Sequence, residues 1–145
     1  MASKKITIDW AVTGYQKFLI KPENNESLVL EREPNNSFDP YAILVKLKDG
    51  RIIGRVPANL SRLLTKIQRE RVVTNLTCVY KGVCRRSVTP DYRQSFKKGG
   101  KRDRNGGGVI LTAHYTMVCP IENYQKFKEM SREHIPESDL HRFCV

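Results

Sequence analysis

The sequence has few acidic residues and no long apolar run. Asp and Glu number 15 against 26 Lys and Arg, which gives a formal charge of +11 and a pI near 9.7. A pI this high is typical of nucleic-acid binding domains. No apolar run approaches the ~18 residues that cross a bilayer, and no signal-type apolar segment follows Met1. We therefore expect an intracellular, soluble protein that binds anionic partners and has no membrane-spanning segment.

Cysteine is also scarce, and its spacing excludes the common metal and redox motifs. The four cysteines are 6, 35 and 25 residues apart. The sequence has no glycine-rich phosphate loop that opens a helix, no His-Glu pair at ligand spacing and no nucleophile elbow. The loop carboxylates Asp39 and Asp91 each adjoin a proline, where turn formation explains them. We predict a protein that is not an enzyme and has no metal or cofactor.

Alternating apolar residues, and runs rich in Val, Thr, Leu and Tyr, predict most of the strands. Trp10 lies on the face of the first strand that we expect to be buried. Asp49-Gly50 separates two apolar runs and predicts a tight hairpin, because glycine supplies the positive φ of such a turn. The predicted strands are residues 6–12, 27–31, 41–47, 51–56, 72–83 and 109–118.

Helical spacing of apolar residues follows Pro57 and recurs near the C-terminus. Leu60, Leu63, Leu64 and Ile67 predict a helix that ends near residues 68–71. A second helix is predicted over 121–133, and we interpret the tail, 134–145, as a frayed end. Five to six strands and two helices predict a mainly β (α+β) domain, a small, partly open β-barrel, of which the OB fold is one form. Other small α+β barrels fit the pattern equally.

Residues 85–108 interrupt this barrel with a long basic segment. It holds eight Lys and Arg, two Asp and five Gly, and it offers little apolar surface to bury. One interpretation is a solvated insertion, and the other is a phosphate-binding arm in which Tyr92 and Phe96 lie among the charges. Part of the segment, 97–102, is similar to a nuclear import signal and favours a nuclear location, but any nucleic-acid binding arm would look similar. The cations assigned to the arm are Arg93, Lys97, Lys98, Lys101 and Arg102.

The stretch 31–57, EREPNNSFDPYAILVKLKDGRIIGRVP, carries an ordered series of features. An acidic-Pro-Asn-Asn loop is followed by an Asp-Pro step, an Asp-Gly hairpin and a Gly-x-Val-Pro exit. The series resembles the signature of the HIRAN domain, the module found at the N-terminus of helicase-like transcription factor and in other DNA-repair ATPases and nucleases. The resemblance covers residues 1–120 and implies an OB-like fold. We expect 121–145 to form a helix and tail that pack on the same domain.

The resemblance also implies a function, the capture of single-stranded DNA at its 3′ end. On this basis Phe38 stacks on the terminal nucleotide and Asp39 accepts a hydrogen bond from the free 3′-hydroxyl. Asn35 and Asn36 shape the loop, and Arg55 contacts phosphate. An ionised carboxylate accepts hydrogen bonds and repels a terminal phosphate, which would select the hydroxyl end without reading bases.

Four positions depart from the family member compared. Arg55 replaces a histidine and retains or strengthens a phosphate contact, whereas the other three keep two alternatives open. Ala11 and Val109 stand where that protein has aromatic residues, and Ala58 stands where it has lysine. Tyr15 is a candidate replacement for one of the aromatics. One alternative is a module that has lost the end pocket and binds an acidic protein. The other is a charge-driven RNA or DNA binder without end preference. An ATPase or nuclease domain, in trans or in a longer protein, is the further partner expected.

Overall fold

The computed structural model describes residues 2–85 and 109–144. Within these residues the chain forms one antiparallel sheet of seven strands in the order β4-β3-β2-β5-β6-β1-β7. The six predicted strands are all found, and a seventh, of two residues, was not predicted. The strands are β1 Ser3–Val12, β2 Ser27–Arg32, β3 Ile43–Lys46, β4 Ile52–Arg55, β5 Thr74–Arg85, β6 Val109–Pro120 and β7 Phe143–Cys144.

The sheet curls until its β4 edge meets the end of β1, as predicted for a partly open barrel. Thr13 donates its backbone N–H to the Arg55 carbonyl at 2.8 Å, and Arg55 returns a bond to the Thr13 carbonyl at 2.9 Å. We call this pair of residues the seam. Gly54 precedes it, and a Cβ at Gly54 would overlap the Thr13 carbonyl oxygen. Only glycine therefore lets the two backbones approach this closely.

The hairpin predicted from Asp49-Gly50 is confirmed. β3 and β4 pair antiparallel, and Gly50 adopts a φ of 97° at the turn. Asp49 accepts the Arg51 backbone N–H at 3.0 Å, which fixes the turn. The hairpin tip therefore points away from the 33–42 loop, which enters β3 at its other end.

Helix α2, Ala58–Arg69, packs one apolar face against the inside of the curled sheet. Its buried residues include those of the predicted face, Leu60, Leu63, Leu64 and Ile67. They lie in one core with Trp10, which is buried as predicted, and with Tyr115, whose hydroxyl donates to the Ala11 carbonyl at 2.6 Å. Complete burial raises the pKa of Tyr115 well above its ordinary value, so it remains a donor.

The C-terminal segment is ordered, and the interpretation of a frayed tail is wrong. A 3₁₀ turn, Ile121–Asn123, leads into helix α3, Tyr124–His134, which packs on α2. A second 3₁₀ turn, Glu137–Arg142, then brings β7 alongside Thr7 and Ile8 of β1. Phe143 packs against Phe127 of α3, and this apolar contact helps to hold the last strand in place.

One further helix, α1 (Tyr15–Phe18), was not predicted. It follows Gly14, whose φ of 99° turns the chain out of β1 and over β4. The helix is a single turn, too short for apolar periodicity to identify it. No helix of the described residues is long and apolar enough to cross a membrane.

Candidate nucleic-acid interface

The loop between β2 and β3, residues 33–42, is closed at its base by backbone hydrogen bonds. The Glu33 N–H donates to the Ala42 carbonyl at 2.9 Å, and the Asn36 N–H donates to the Glu33 carbonyl at 3.1 Å. The Ala42 N–H donates to the Asp39 carbonyl at 3.0 Å. The first bond joins the two ends of the loop, and the other two each form a turn within one half of it. The loop therefore has a defined conformation. We call residues 33–42 the signature loop.

The side chain of Asn36 holds the tip of the signature loop from within. Its Oδ1 accepts the backbone N–H groups of Phe38 at 2.9 Å and Asp39 at 3.1 Å. Asparagine suits this position because its short amide can bond to the backbone two and three residues ahead. Asn36 is therefore a residue that shapes the loop, whereas Asn35 is exposed.

Phe38 projects from this tip with 99% of its surface exposed. A large apolar side chain in a polar loop either folds inward as a lid or is presented outward, and in the structure this ring is presented outward. Exposure of a phenylalanine forgoes the roughly 2 kcal/mol that burial would contribute. The ring is therefore free to stack on a planar ligand such as a nucleic-acid base.

Asp39 follows Phe38 and is half-buried. Its Oδ1 accepts the Tyr41 backbone N–H at 3.0 Å, which fixes the carboxylate relative to the loop. A carboxylate has about four acceptor positions on its two oxygens, so this bond leaves acceptor capacity for a ligand hydroxyl. Phe38 and Asp39 are adjacent in sequence and share the Asn36 support, and the loop thus places a ring and an acceptor together.

Arg55 lies below the loop and is paired with Glu33. Its Nε donates to Glu33 Oε1 at 2.8 Å and its Nη2 donates to Oε2 at 3.3 Å. The side-chain hydrogen bond to Arg55 lowers the pKa of Glu33, and the same pair raises the pKa of Arg55. The predicted phosphate contact of Arg55 must therefore use its remaining N–H groups, beside a carboxylate that offsets its charge.

Helix α1 adds residues to the edge of this site. Lys17 is close enough to Glu33 to contribute to the lowering of its pKa. Tyr15 is half-buried and packs against the core. It lies near Tyr80, whose pKa is raised mainly by burial and to a smaller extent by Tyr15. Tyr15 thus presents less of its ring than Phe38 does.

The structure places the departures from the family member in different surroundings. Ala11 is buried in β1, and Ala58 is exposed at the start of α2. Val109 begins β6. The five cations assigned to the basic arm, Arg93, Lys97, Lys98, Lys101 and Arg102, lie outside the described residues. Among the residues that are described, no three His, Cys, Asp or Glu side chains are arranged to hold a metal ion.

Sequence reasoning missed the partners that position the site. Glu33 stood within the quoted motif, but its pairing with Arg55, 22 residues away, has no periodic signal. Lys17 was missed together with the short helix that carries it. Gly54 was noted as part of the Gly-x-Val-Pro exit, and the structure gives its reason in the close approach to Thr13.

Three solved structures show that this fold is shared. The crystal structure of the HIRAN domain of human HLTF matches with a TM-score of 0.64 at 18% identity, over 91% of this chain and 93% of that one. An NMR structure of the HLTF HIRAN domain gives a TM-score of 0.59 at 19% identity, over 96% and 90% of the two chains. The NMR structure of the HLTF HIRAN domain in its DNA-bound conformation gives 0.58 at 20% identity, over 88% and 87%.

Comparison of the sequence with family models identifies the family independently of these structures. No curated protein matches the chain. The model of the HIRAN domain matches residues 7–95, which is more than half of the chain and includes the signature loop, the seam and α2. The seven-stranded, partly closed sheet agrees with this match. The chain therefore belongs to the HIRAN domain family.

Proposed function

We propose that this protein is a non-catalytic nucleic-acid binding module that captures single-stranded DNA at a free 3′-hydroxyl end. The observation that carries the proposal is the outward ring of Phe38 beside the Asp39 carboxylate, on a loop held by Asn36. Family membership and the DNA-bound conformation of a HIRAN domain with the same fold support it. The formal charge of +11 favours a polyanionic ligand.

Phe38 supplies binding energy that does not depend on base identity. Every base has a π-face, and one aromatic-base stack is worth ~1–3 kcal/mol by truncation. The ring stands exposed at the tip of the loop, two residues after the Asn36 side chain that supports it. An exposed ring of this kind suits the end of a strand, where the terminal base has an open face.

Asp39 supplies the selection of the end. A 3′-hydroxyl donates to a free lone pair of the carboxylate, while a 3′-phosphate brings a second negative charge to the same place. The bond from the Tyr41 N–H keeps the carboxylate in position before the ligand arrives. Preorganisation of this kind lowers the entropic cost of binding.

Phosphates behind the terminal nucleotide are held by cations. Arg55 offers its remaining N–H groups, and the basic segment within 85–108 supplies the arm predicted from the sequence. Deletion of residues 93–104 should flatten the dependence of log affinity on log salt by about 0.7 for each phosphate that the arm neutralises. An unchanged slope would exclude the arm and leave the role of the signature loop intact.

The test of the proposed function compares 3′-hydroxyl and 3′-phosphate strands of about 10 nucleotides by fluorescence anisotropy. The wild-type protein should prefer the hydroxyl end, and Asp39→Asn should reduce that preference by removing the charge while keeping the size. Asp49→Asn, at the far hairpin tip, is the matched control. Equal binding of both strands by the wild type would refute end selection.

One observation favours a second candidate, charge-driven binding without end preference. Glu33 offsets the charge of Arg55 beside the loop and leaves less positive potential at the proposed end pocket. In that case RNA, single-stranded DNA and duplex should bind with equal, steeply salt-dependent affinity. Failure to bind any oligonucleotide at low salt would instead favour the third function, recognition of an acidic protein.

A further inference from the structure

One face of α2 carries three cations, of which Arg62 and Arg69 are exposed and Lys66 is half-buried. Arg62, Lys66 and Arg69 recur at the i, i+4 and i+7 spacing that places residues on one side of a helix, opposite its buried apolar face. The sequence of this helix, ANLSRLLTKIQR, contains no acidic residue. We call these three residues the α2 basic face. Successive members are about 6 Å and about 4.5 Å apart along the axis.

The cations of this face are available for a ligand. Around the signature loop and its hairpin, Lys46 is paired with Glu31, Arg51 with Asp49, and Arg55 with Glu33. Among the described residues, by contrast, neither Arg62 nor Lys66 forms an ion pair with a carboxylate. Glu70, which follows the helix, lies near Arg69 and Lys66 but is paired with Lys126. No ion pair among the described residues therefore offsets the charge of Arg62 or Lys66.

Tyr41 connects the signature loop to this face. The Arg62 guanidinium carbon lies 5.4 Å and the Lys66 Nζ lies 5.8 Å from the centre of the Tyr41 ring. The Thr65 hydroxyl donates to the Tyr41 carbonyl at 3.5 Å, which joins the end of the loop to the same helix. Since Tyr41 also donates its N–H to Asp39, this one residue bridges the proposed hydroxyl acceptor and the α2 basic face.

We propose that the α2 basic face is the track along which the backbone of the captured strand leaves the signature loop, with Arg62 and Lys66 as its phosphate contacts. The inference rests on the proposed function and adds to it the direction in which the strand runs. Two cations held over one aromatic ring present their charge in fewer orientations than free side chains do, which lowers the entropy lost on binding. Unlike the end pocket, this track reads no feature of the terminus.

The test measures the salt dependence of strands of about 4 and about 12 nucleotides in the double variant Arg62→Gln/Lys66→Gln. For the longer strand, removal of two phosphate-binding cations should reduce the slope of log affinity against log salt by about 1.4, which corresponds to about 25-fold weaker binding near 0.1 M salt. The shorter strand should lose less affinity, and the preference for 3′-hydroxyl over 3′-phosphate should be unchanged.

The matched control is Lys21→Gln/Lys48→Gln, which removes the same charge near the hairpin tip, where Glu23, Glu26 and Asp49 also lie. The control should keep the wild-type slope. If both double variants lose affinity equally, net charge explains the loss and the track is refuted. If the wild type captures 3′ ends and the Arg62→Gln/Lys66→Gln slope is unchanged, the track alone fails. If the wild type binds no strand, the proposed function itself fails.

His134 provides a readout that does not depend on affinity. Burial lowers its pKa, with further lowering by Lys66 and Arg62, while Glu133 raises it. A phosphate held between Arg62 and Lys66 favours the charged imidazolium, so the pKa of His134 should rise when the longer strand binds. The histidine resonances in an NMR titration would follow this change. A His134 pKa that is the same in the free and saturated protein would contradict the track.

Discussion

Truncation of Phe38 should separate the effect on binding from any effect on folding. Because 99% of the side chain is exposed, Phe38→Ala removes almost no buried surface. Its free energy of unfolding should stay within about 0.5 kcal/mol of the wild type, as for other exposed positions. Loss of one base stack should cost ~1–3 kcal/mol of binding. This corresponds to a rise in Kd of about 5- to 150-fold.

The assay pairs denaturant unfolding with anisotropy on a labelled single strand. Phe38→Trp keeps an aromatic face and should retain affinity. Val29→Ala removes a partly covered apolar side chain from β2, away from the signature loop, and should leave affinity unchanged. Unchanged affinity in Phe38→Ala would refute the stacking role. A destabilisation of more than about 1 kcal/mol would show that the ring packs inward in solution, which contradicts its position in the structure.

Two further changes test the architecture beneath the loop. Gly54→Ala should lower the free energy of unfolding by about 1–3 kcal/mol, because the new methyl group overlaps the Thr13 carbonyl oxygen; an unaltered unfolding curve would contradict this close approach. Glu33→Gln should tighten single-strand binding and steepen the slope of log affinity against log salt by up to about 0.7, because the charge of Arg55 is no longer offset. Weaker binding would exclude Arg55 as a phosphate contact. Because Arg55 lowers the pKa of Glu33 below 4.5, the charged pair stabilises the fold above that pH and loses its effect as the pH falls through the lowered pKa. The free energy of unfolding of the wild type should therefore exceed that of Glu33→Gln by at most about 1 kcal/mol near neutral pH. In acid the two free energies should be equal, and denaturant unfolding at the two pH values measures the difference.

Local patterns predicted the elements whose residues alternate or recur within one segment. Three elements were predicted correctly: the strand before Thr13, the hairpin at Asp49-Gly50 and the helix after Pro57. In each of them, the spacing of apolar residues within the segment indicates the buried face. Helix α1 and strand β7 were missed. They have four and two residues, which is too few for helical recurrence or strand alternation to identify them.

The candidate site could be predicted only in part, since it depends on contacts between distant residues. The motif identified Phe38 and Asp39, but the direction of the Phe38 ring follows from the hydrogen bonds of Asn36 to the backbone. The pairing of Arg55 with Glu33 arises because the barrel brings β4 beneath the loop. The spacing of residues along the chain therefore does not predict the contact between Arg55 and Glu33.

The seam has a consequence for how the family can diversify. Arg55 joins the barrel through its backbone N–H and carbonyl, while its guanidinium takes part in the charge pair with Glu33. Any residue except proline, which lacks the N–H, can make the same backbone bonds in a strand conformation. The charge at this position can therefore be exchanged without opening the barrel. Gly54 has no such freedom. Adjacent positions thus have separate roles, one free to tune ligand preference while the other preserves the closed shape.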